Sequence, residues 1–505
     1  MTAILLLPAA ASAAGVPNPV VWGPIQGGIR GFPANASTYP LSGPGYDYTE
    51  NEYFFSGTAT DLSNGETAPY ATRMLVRMPA DPTKFNGIML VDWPNVTDQE
   101  DFEFTWWAPA HQYLMQQGYG YAMISAQQVG VNHLKAWDPE RYALLLHPGD
   151  SYAQDIFAQG IQALRDPQDN GTSSLYPVKL DPTSGVHVKY VVAGGVSQSA
   201  SELATFINNG YNRGEVDAYN IERDLGSTYT DFSKFIFSMD EETSFTGQPA
   251  APRQPDNPHF VVWEEAGASH EPISWWEYRL ATQEKQGEIP PGSPDPVNTT
   301  CSVNRAPIDY RDDAMLYSTR KYLTTGAKPP PAPRIERTSS TDSTPVRDAN
   351  GLVEGGLRDS FIQVPIALNT SDGCPFWGTY MPWSSAKIEA MYPTHANYVS
   401  QVTSWDNYEV SKGWLLPQDS ASDIATAKAF NAPWLNASCY DTSNQTGNET
   451  GPLSSQIAAF DNNPALMELG DDGVDANGFD LSVPLGGVHA ALHDVNCDVV
   501  VPQGT

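Results

Sequence analysis

Between residues 188 and 210 an apolar β-branched run, a turn of small residues and a helix-forming segment follow one another without interruption, and this succession constrains the fold more than any other feature. Strand, tight turn and helix in that order form the repeating step of an α/β sheet. The alternation continues from about residue 70 onward, with strands expected over 74–78, 87–93, 120–125, 188–193, 234–238 and 260–264. Helices are expected over 104–117, 151–165 and 198–210, and again over 384–391 and 396–412. Their ends carry suitable residues: Gly118 can take the left-handed position after the first, and Asp150 or Ser151 can cap the second.

Composition narrows the function classes. The 505 residues include 59 Asp and Glu against 27 Lys and Arg, a formal charge of −32. Such acidity repels phosphate backbones and anionic lipid head groups, so neither a nucleic-acid partner nor a membrane partner is expected, and a small-molecule substrate fits better. With 17% charged and 11% aromatic residues, the chain has the balance of a packed globule rather than of a disordered acidic polymer.

The apolar stretch from Ile4 to Ala11, followed by Ser12, Ala13 and Ala14, has the layout of a short secretory signal, although no Lys or Arg precedes it. Residues 1–14 are therefore expected to be a truncated signal peptide and the mature protein to be secreted. Four cysteines, Cys301, Cys374, Cys439 and Cys497, lack metal-like spacing, so two disulfides are expected, with their connectivity open. Eight Asn-x-Ser/Thr sites occur, at Asn35, Asn95, Asn170, Asn298, Asn369, Asn436, Asn444 and Asn448, and Asn95 is expected to carry no glycan because its loop is assigned a function below.

The chemistry concentrates at Gly194-Gly195-Val196-Ser197-Gln198-Ser199-Ala200. It is close to the Gly-x-Ser-x-Gly pattern of a nucleophile elbow, in which small neighbours let the chain turn sharply and present a strained serine at a strand end. Ser199 stands where the second glycine is usual. A serine nucleophile of this kind needs an acid and then a histidine after later strands. Both follow: Asp240-Glu241-Glu242 comes after the strand at 234–238, and Gly267-Ala268-Ser269-His270 after the strand at 260–264.

His270 is thus the expected base and Glu242 the expected acid, because a residue a little beyond the strand end can curl back to the imidazole; Asp240 is the alternative. The oxyanion amides are expected from Gln198, directly after the serine, and from the loop after the strand at 87–93, at Asn95 and Val96. Trp106, Trp107, Trp275 and Trp276 flank these segments and are candidates to line a substrate pocket, with core packing as their other use. His111 reads as a packed or surface histidine. His489 and His493 compete for the base role without a convincing strand before them, and their spacing, with only Asp494 beside them, makes a poor metal set. No metal and no cofactor is expected.

Longer segments extend the pattern: Asp92-Trp93-Pro94-Asn95-Val96, Ser125-Ala126-Gln127-Gln128-Val129-Gly130, His147-Pro148-Gly149-Asp150-Ser151-Tyr152, Glu265-Ala266-Gly267-Ala268-Ser269-His270, Gly355-Gly356-Leu357-Arg358 and Tyr392-Pro393-Thr394-His395-Ala396. In these, over roughly residues 20 to 430, the chain resembles a family of large, mostly exported α/β-hydrolase-domain proteins. The resemblance implies an α/β-hydrolase fold with a mostly parallel central sheet, helices on both faces and a C-terminal extension or lid. It also implies Ser197 as nucleophile and His270 as base; at the acid, where the family favours a pair ending in Asp, this chain departs from it.

The expected organisation is a core over 15–290 holding the triad, an extension or lid over 291–435 and a disulfide-bearing tail over 436–505. The expected activity is a serine hydrolase cleaving carboxylic esters through an acyl-enzyme. Two other readings share the same residues: a non-catalytic carbohydrate-binding protein, and an acyltransferase or lactonase.

Overall fold

A computed structural model describes residues 15–167, 181–224, 226–245, 253–293, 301–339, 342–374 and 376–434. The suggested signal at 1–14, Cys439, Cys497, His489 and His493 lie outside the described residues.

In chain order the strands and helices are β1 (Val20–Trp22), β2 (Ser42–Gly43), β3 (Tyr46–Thr60), β4 (Thr67–Pro79), β5 (Ile88–Asp92), α1 (Trp107–Gln116), β6 (Gly120–Ile124), α2 (Gln128–Trp137), α3 (Ala153–Arg165), β7 (Tyr190–Val196), α4 (Gln198–Asn208) and β8 (Ala218–Glu222). There follow β9 (Phe235–Glu241), β10 (Phe260–Glu265), α5 (Ile273–Gln286), α6 (Ile308–Thr325), β11 (Arg337–Ser339), β12 (Asp342–Pro345), α7 (Ser360–Gln363), β13 (Ala367–Cys374), β14 (Gly378–Pro382), α8 (Ser385–Met391), α9 (His395–Lys412) and α10 (Pro417–Ala429). This is the α/β class expected from the sequence.

The chain forms two compact units, each assembled from separated stretches. Of the described residues, the first takes those up to Glu103, those in Gln117–Ile221 and Ser227–Ile236. Its strands run in the order β1-β3-β4-β6-β5-β7-β8. β3 and β4 pair antiparallel from Tyr48 opposite Pro79 to Thr60 opposite Thr67, while β5 lies parallel to both β6 and β7. Every residue of β5 and β6 is buried, as a strand covered on both faces requires. α3 is buried along almost its whole length, and Gly160 lets it approach the sheet: a Cβ there would lie 2.7 Å from Ile124 Cδ1.

Two buried arginines on β4 hold this unit's polar interior. Arg73 donates to Glu52 at 3.1 Å and to the Asn35 side chain at 2.6 Å, and Arg77 donates to Glu50 at 2.7 Å and to Glu103. Arg141 reaches the other oxygen of Glu52 at 2.6 Å, so neither Glu52 oxygen is left uncompensated.

Of the described residues, the second unit takes those in Phe104–Gln116, those in Glu222–Gly226 and those from Phe237 onward. β9 and β10 are neighbours, and β11–β12 and β13–β14 form separate two-stranded sheets. Gly356, at φ 68°, brings the chain against β10, where Leu357 and Glu264 exchange a backbone bond of 2.7 Å; a Cβ at Gly356 would lie 2.9 Å from that same carbonyl. Thr394 caps α9, its side chain accepting from Asn397 N. A disulfide joins Cys301 to Cys374.

Asn35, Asn95 and Asn369 are buried, and all three side chains are engaged in hydrogen bonds. The other five Asn-x-Ser/Thr sites lie outside the described residues. Among the described residues no helix is long and apolar enough to cross a membrane.

Candidate active site

In the first unit, β5 and β7 end side by side, with Asp92 opposite Gly194 in parallel register and Trp93 N donating to Gly194 O at 2.9 Å. Loops that leave the carboxyl ends of adjacent parallel strands are where α/β sheets bind ligands. Here they are the Asn95 loop and the turn into α4.

Ser197 sits at φ 57°, ψ −117° and heads α4 without its side chain capping the helix. A non-glycine residue held there costs on the order of 1–3 kcal/mol, so the surrounding contacts must enforce it. Two do. Ser199 is fully buried and its hydroxyl both accepts from Val196 N (2.9 Å) and donates to Val196 O (3.0 Å). Gly195 has no room for a side chain, since a Cβ would lie 2.8 Å from Ser199 O. Ser199, the departure from the usual glycine, therefore fastens the turn from inside.

Behind the serine lies a polar net. Trp93 Nε1 and Gln198 Nε2 each donate to Gln127 Oε1 at 3.0 Å, and Gln154 donates to Glu202 at 2.7 Å. Burial and then the charge of Asp150 push the Glu202 carboxyl above its ordinary pKa. His147, from the His-Pro-Gly-Asp segment, keeps one ring nitrogen 2.8 Å from Ala126 O and accepts from Gly149 N on the other; burial lowers its pKa and favours the neutral ring.

The oxyanion expectation needs correction at Asn95. Its backbone N–H donates to Phe102 O at 2.9 Å in a bridge that closes the loop, and its side chain donates to Val196 O at 3.1 Å, so Asn95 braces the elbow. The Val96 N–H donates to the Gln198 side-chain oxygen at 3.3 Å, a long bond that an incoming oxyanion can replace. Gln198 contributes a first-turn amide of α4, a position with no intrahelical acceptor.

In the second unit, His270 and Glu241 form a buried pair: Nδ1 of the imidazole lies 2.8 Å from Glu241 Oε1. Ser244 Oγ donates to the other Glu241 oxygen at 2.8 Å, and His270 N donates to Thr243 Oγ1 at 3.0 Å. Burial opposes ionisation of Glu241, but the bond and charge from His270, then Arg223 and Ser244, outweigh it and hold its pKa below the ordinary carboxylate value.

The acid beside His270 is thus Glu241, not the expected Glu242. β9 runs on to Glu241, two residues past Met239, and successive strand residues face opposite ways. Glu242 opens the following turn and binds elsewhere, accepting from Gly267 N (3.1 Å), Ser371 Oγ (2.8 Å) and Arg347. The alternative, Asp240, faces away from His270; burial, then the charges of Asp224, Glu241 and Glu264, push its pKa well up. The strand thus runs three residues beyond its expected end at 238.

All four tryptophans proposed for a pocket are buried in the second unit. Trp275 stacks on Phe104 with centroids 4.9 Å apart and lies 5.0 Å below the Arg223 guanidinium. Trp276 stacks on Trp377 (6.1 Å), and Trp107 packs against His111 (6.0 Å), which is a packed histidine. Their observed contacts are those of core packing.

Among curated proteins none matches this chain. Similar solved structures include a rice cell wall degrading esterase from Xanthomonas oryzae, at 16% identity over 35% of this chain and 43% of that one, with a TM-score of 0.20. A prolyl endopeptidase shares 10% identity over 49% of this chain and 46% of its own, with a TM-score of 0.24. An α/β serine hydrolase without lid from Xanthomonas campestris shares 11% over 51% of this chain and all of its own, with a TM-score of 0.25. The chain spans less than half the length of the first two. The profile of the alpha/beta hydrolase domain matches residues 21–425, and this chain belongs to that family.

Proposed function

We propose that the protein is a serine hydrolase that cleaves carboxylic esters through an acyl-enzyme, with Ser197, His270 and Glu241 as its triad. The observation that carries this reading is Ser197 itself, strained at the end of β7 with its hydroxyl not spent on capping α4. The buried His270–Glu241 pair, in the required chain order, supports it.

In this mechanism Ser197 Oγ attacks the ester carbonyl as its proton passes to His270 Nε2. Glu241 accepts from Nδ1–H, fixes the tautomer and stabilises the imidazolium. The amides of Gln198 and Val96 stabilise the oxyanion. Collapse releases the alcohol, protonated by His270, and leaves the acyl group on Ser197; water activated by the same histidine then frees the acid. No cofactor enters any step. The Cys301–Cys374 disulfide supports a working place in an oxidising, extracellular medium.

Labelling with a fluorophosphonate followed by peptide mapping tests the assignment. The adduct is expected on Ser197 and absent from Ser197→Ala. Folded protein that neither labels nor hydrolyses short-chain chromogenic esters, yet binds a sugar saturably, would favour the carbohydrate-binding reading. Ester transfer to added alcohols in preference to water would favour the acyltransferase.

A further inference from the structure

Beside His270, in the second unit, stands an aromatic side chain that no part of the proposed triad uses. The ring of Phe376 has its centroid 5.3 Å from that of His270, at an interplanar angle of 52°. Phe376 is 47% exposed, whereas His270 is 2% exposed. The half-exposed ring offers an open apolar face directly beside a buried imidazole, where a flat substrate group can cover it.

The position of this ring is enforced. Phe376 lies in the turn between β13 and β14, whose register places Cys374 opposite Gly378. It adopts φ 67°, a left-handed conformation that is a genuine outlier for a bulky residue. Four ties hold the turn in this shape. Phe376 O accepts from Glu271 N (2.8 Å), immediately after the histidine; Trp377 O accepts from Asn304 N (3.0 Å); Trp377 Nε1 donates to Glu271 Oε2 (2.7 Å); and Cys374 is bonded to Cys301. Gly378 completes the turn at φ 58°, where a Cβ would lie 2.3 Å from Thr370 O. At the base of the same hairpin, Ser371 and Thr370 bind Glu242, the neighbour of the residue that holds His270. Strain held by so many contacts marks a residue whose placement matters.

We propose that Phe376 is a specificity-determining residue, a fixed aromatic wall against which the alcohol portion of the ester lies. The inference rests on the reading of His270 as the base: the histidine that protonates the departing oxygen must sit next to the alcohol group, so a ring packed on that histidine meets the alcohol before the acyl chain. A flat aromatic alcohol can stack on Phe376 and cover its exposed face, while a short alkyl alcohol leaves most of it wet. The preferred substrates are therefore esters of aromatic alcohols.

The test uses the full-length, disulfide-intact protein and two acetates whose alcohols differ little in acidity, benzyl acetate and ethyl acetate. The wild type is expected to favour the benzyl ester in kcat/KM. Phe376→Ala and Phe376→Leu are expected to lower that ratio about tenfold, the scale of discrimination a single apolar contact supplies, with Phe376→Tyr keeping it. A ratio in both Phe376→Ala and Phe376→Leu within twofold of wild type would overturn the proposal. His270→Ala separates this from the mechanism. If it abolishes hydrolysis while the Phe376 variants keep the wild-type ratio, the wall alone is wrong; if it hydrolyses both esters as the wild type does, the reading of the base fails first.

Discussion

Glu241 and Glu242 are adjacent in sequence and act in opposite directions: Glu241 Oε1 lies 2.8 Å from His270 Nδ1, whereas Glu242 Oε1 lies 2.8 Å from Ser371 Oγ and also binds Arg347. The two are therefore separable by mutation. Glu241→Gln is expected to lower kcat by about 10³- to 10⁴-fold with little change in KM, since the amide cannot stabilise the imidazolium. Glu242→Gln is expected to keep kcat within about fivefold and to lose about 3 kcal/mol of stability, the scale of breaking one side of a buried ion pair. Steady-state kinetics and denaturant melts of both variants check this, and equal kcat losses would return the acid role to dispute.

The helices α9 and α10 meet through carboxyl groups. Asp406 is pushed up to about 9 by burial and then by the charge of Asp423, and Asp423 to about 6 by burial, opposed by the Ser360 hydroxyl that binds it. Glu409 and Asp359 add negative charge around them and Arg311 positive charge. A carboxyl whose folded pKa is raised adds stability at low pH and loses it as the pH climbs from the unfolded value through the folded one. Glu241, with a lowered pKa, has the opposite sign, but its stability is lost only as the pH falls through its depressed value. His147, whose pKa burial lowers, also has the opposite sign but only below the ordinary histidine value, so between about pH 7 and 8.5 the melting temperature should fall, and Asp406→Asn should flatten the fall. Parallel curves for wild type and variant by scanning calorimetry would remove Asp406 as the cause.

The elbow depends on two small residues. Gly195→Ala forces a Cβ to within 2.8 Å of Ser199 O and should cost about 1–3 kcal/mol while slowing fluorophosphonate labelling at least tenfold. Ser199→Ala removes both bonds to Val196 and should cost about 1–3 kcal/mol. Labelling rates measured beside thermal melts distinguish a displaced serine from general loosening.

Arg73 is buried among Glu52, Asp101 and Asn35. Arg73→Met leaves Glu52 with one cationic partner fewer and is expected to cost about 3–5 kcal/mol. The double change Arg73→Met with Glu52→Gln should recover part of that loss in denaturant unfolding; no recovery would show that the pair is not coupled.

The parts of the fold that were readable in the sequence were those whose signal is local. The apolar run before Gly194 and the small residues after it fix β7, the turn and α4, and the same holds for β5, β6 and β10. Three consecutive carboxylates carry no marker of which faces the histidine; that depends on where β9 ends, and the strand runs to Glu241. Asn95 stands where an oxyanion amide is expected, but its N–H is bound to Phe102 O, a pairing that no local pattern signals. Phe376 left no trace, since its meaning comes from a histidine more than a hundred positions earlier and a disulfide whose pairing no spacing determines.

The composition of the two units from interleaved stretches has a consequence for synthesis. α1 belongs to the unit whose main run starts at Phe237, so after Gln116 leaves the ribosome some 120 residues must follow before that run begins. At 5–20 residues per second this is roughly 6–24 s. For that interval Trp106, Trp107 and Leu114, all fully buried in the finished protein, travel without their own unit. The nascent chain is then most exposed to aggregation, and slowing translation beyond α1, rather than ahead of it, should lower the soluble yield.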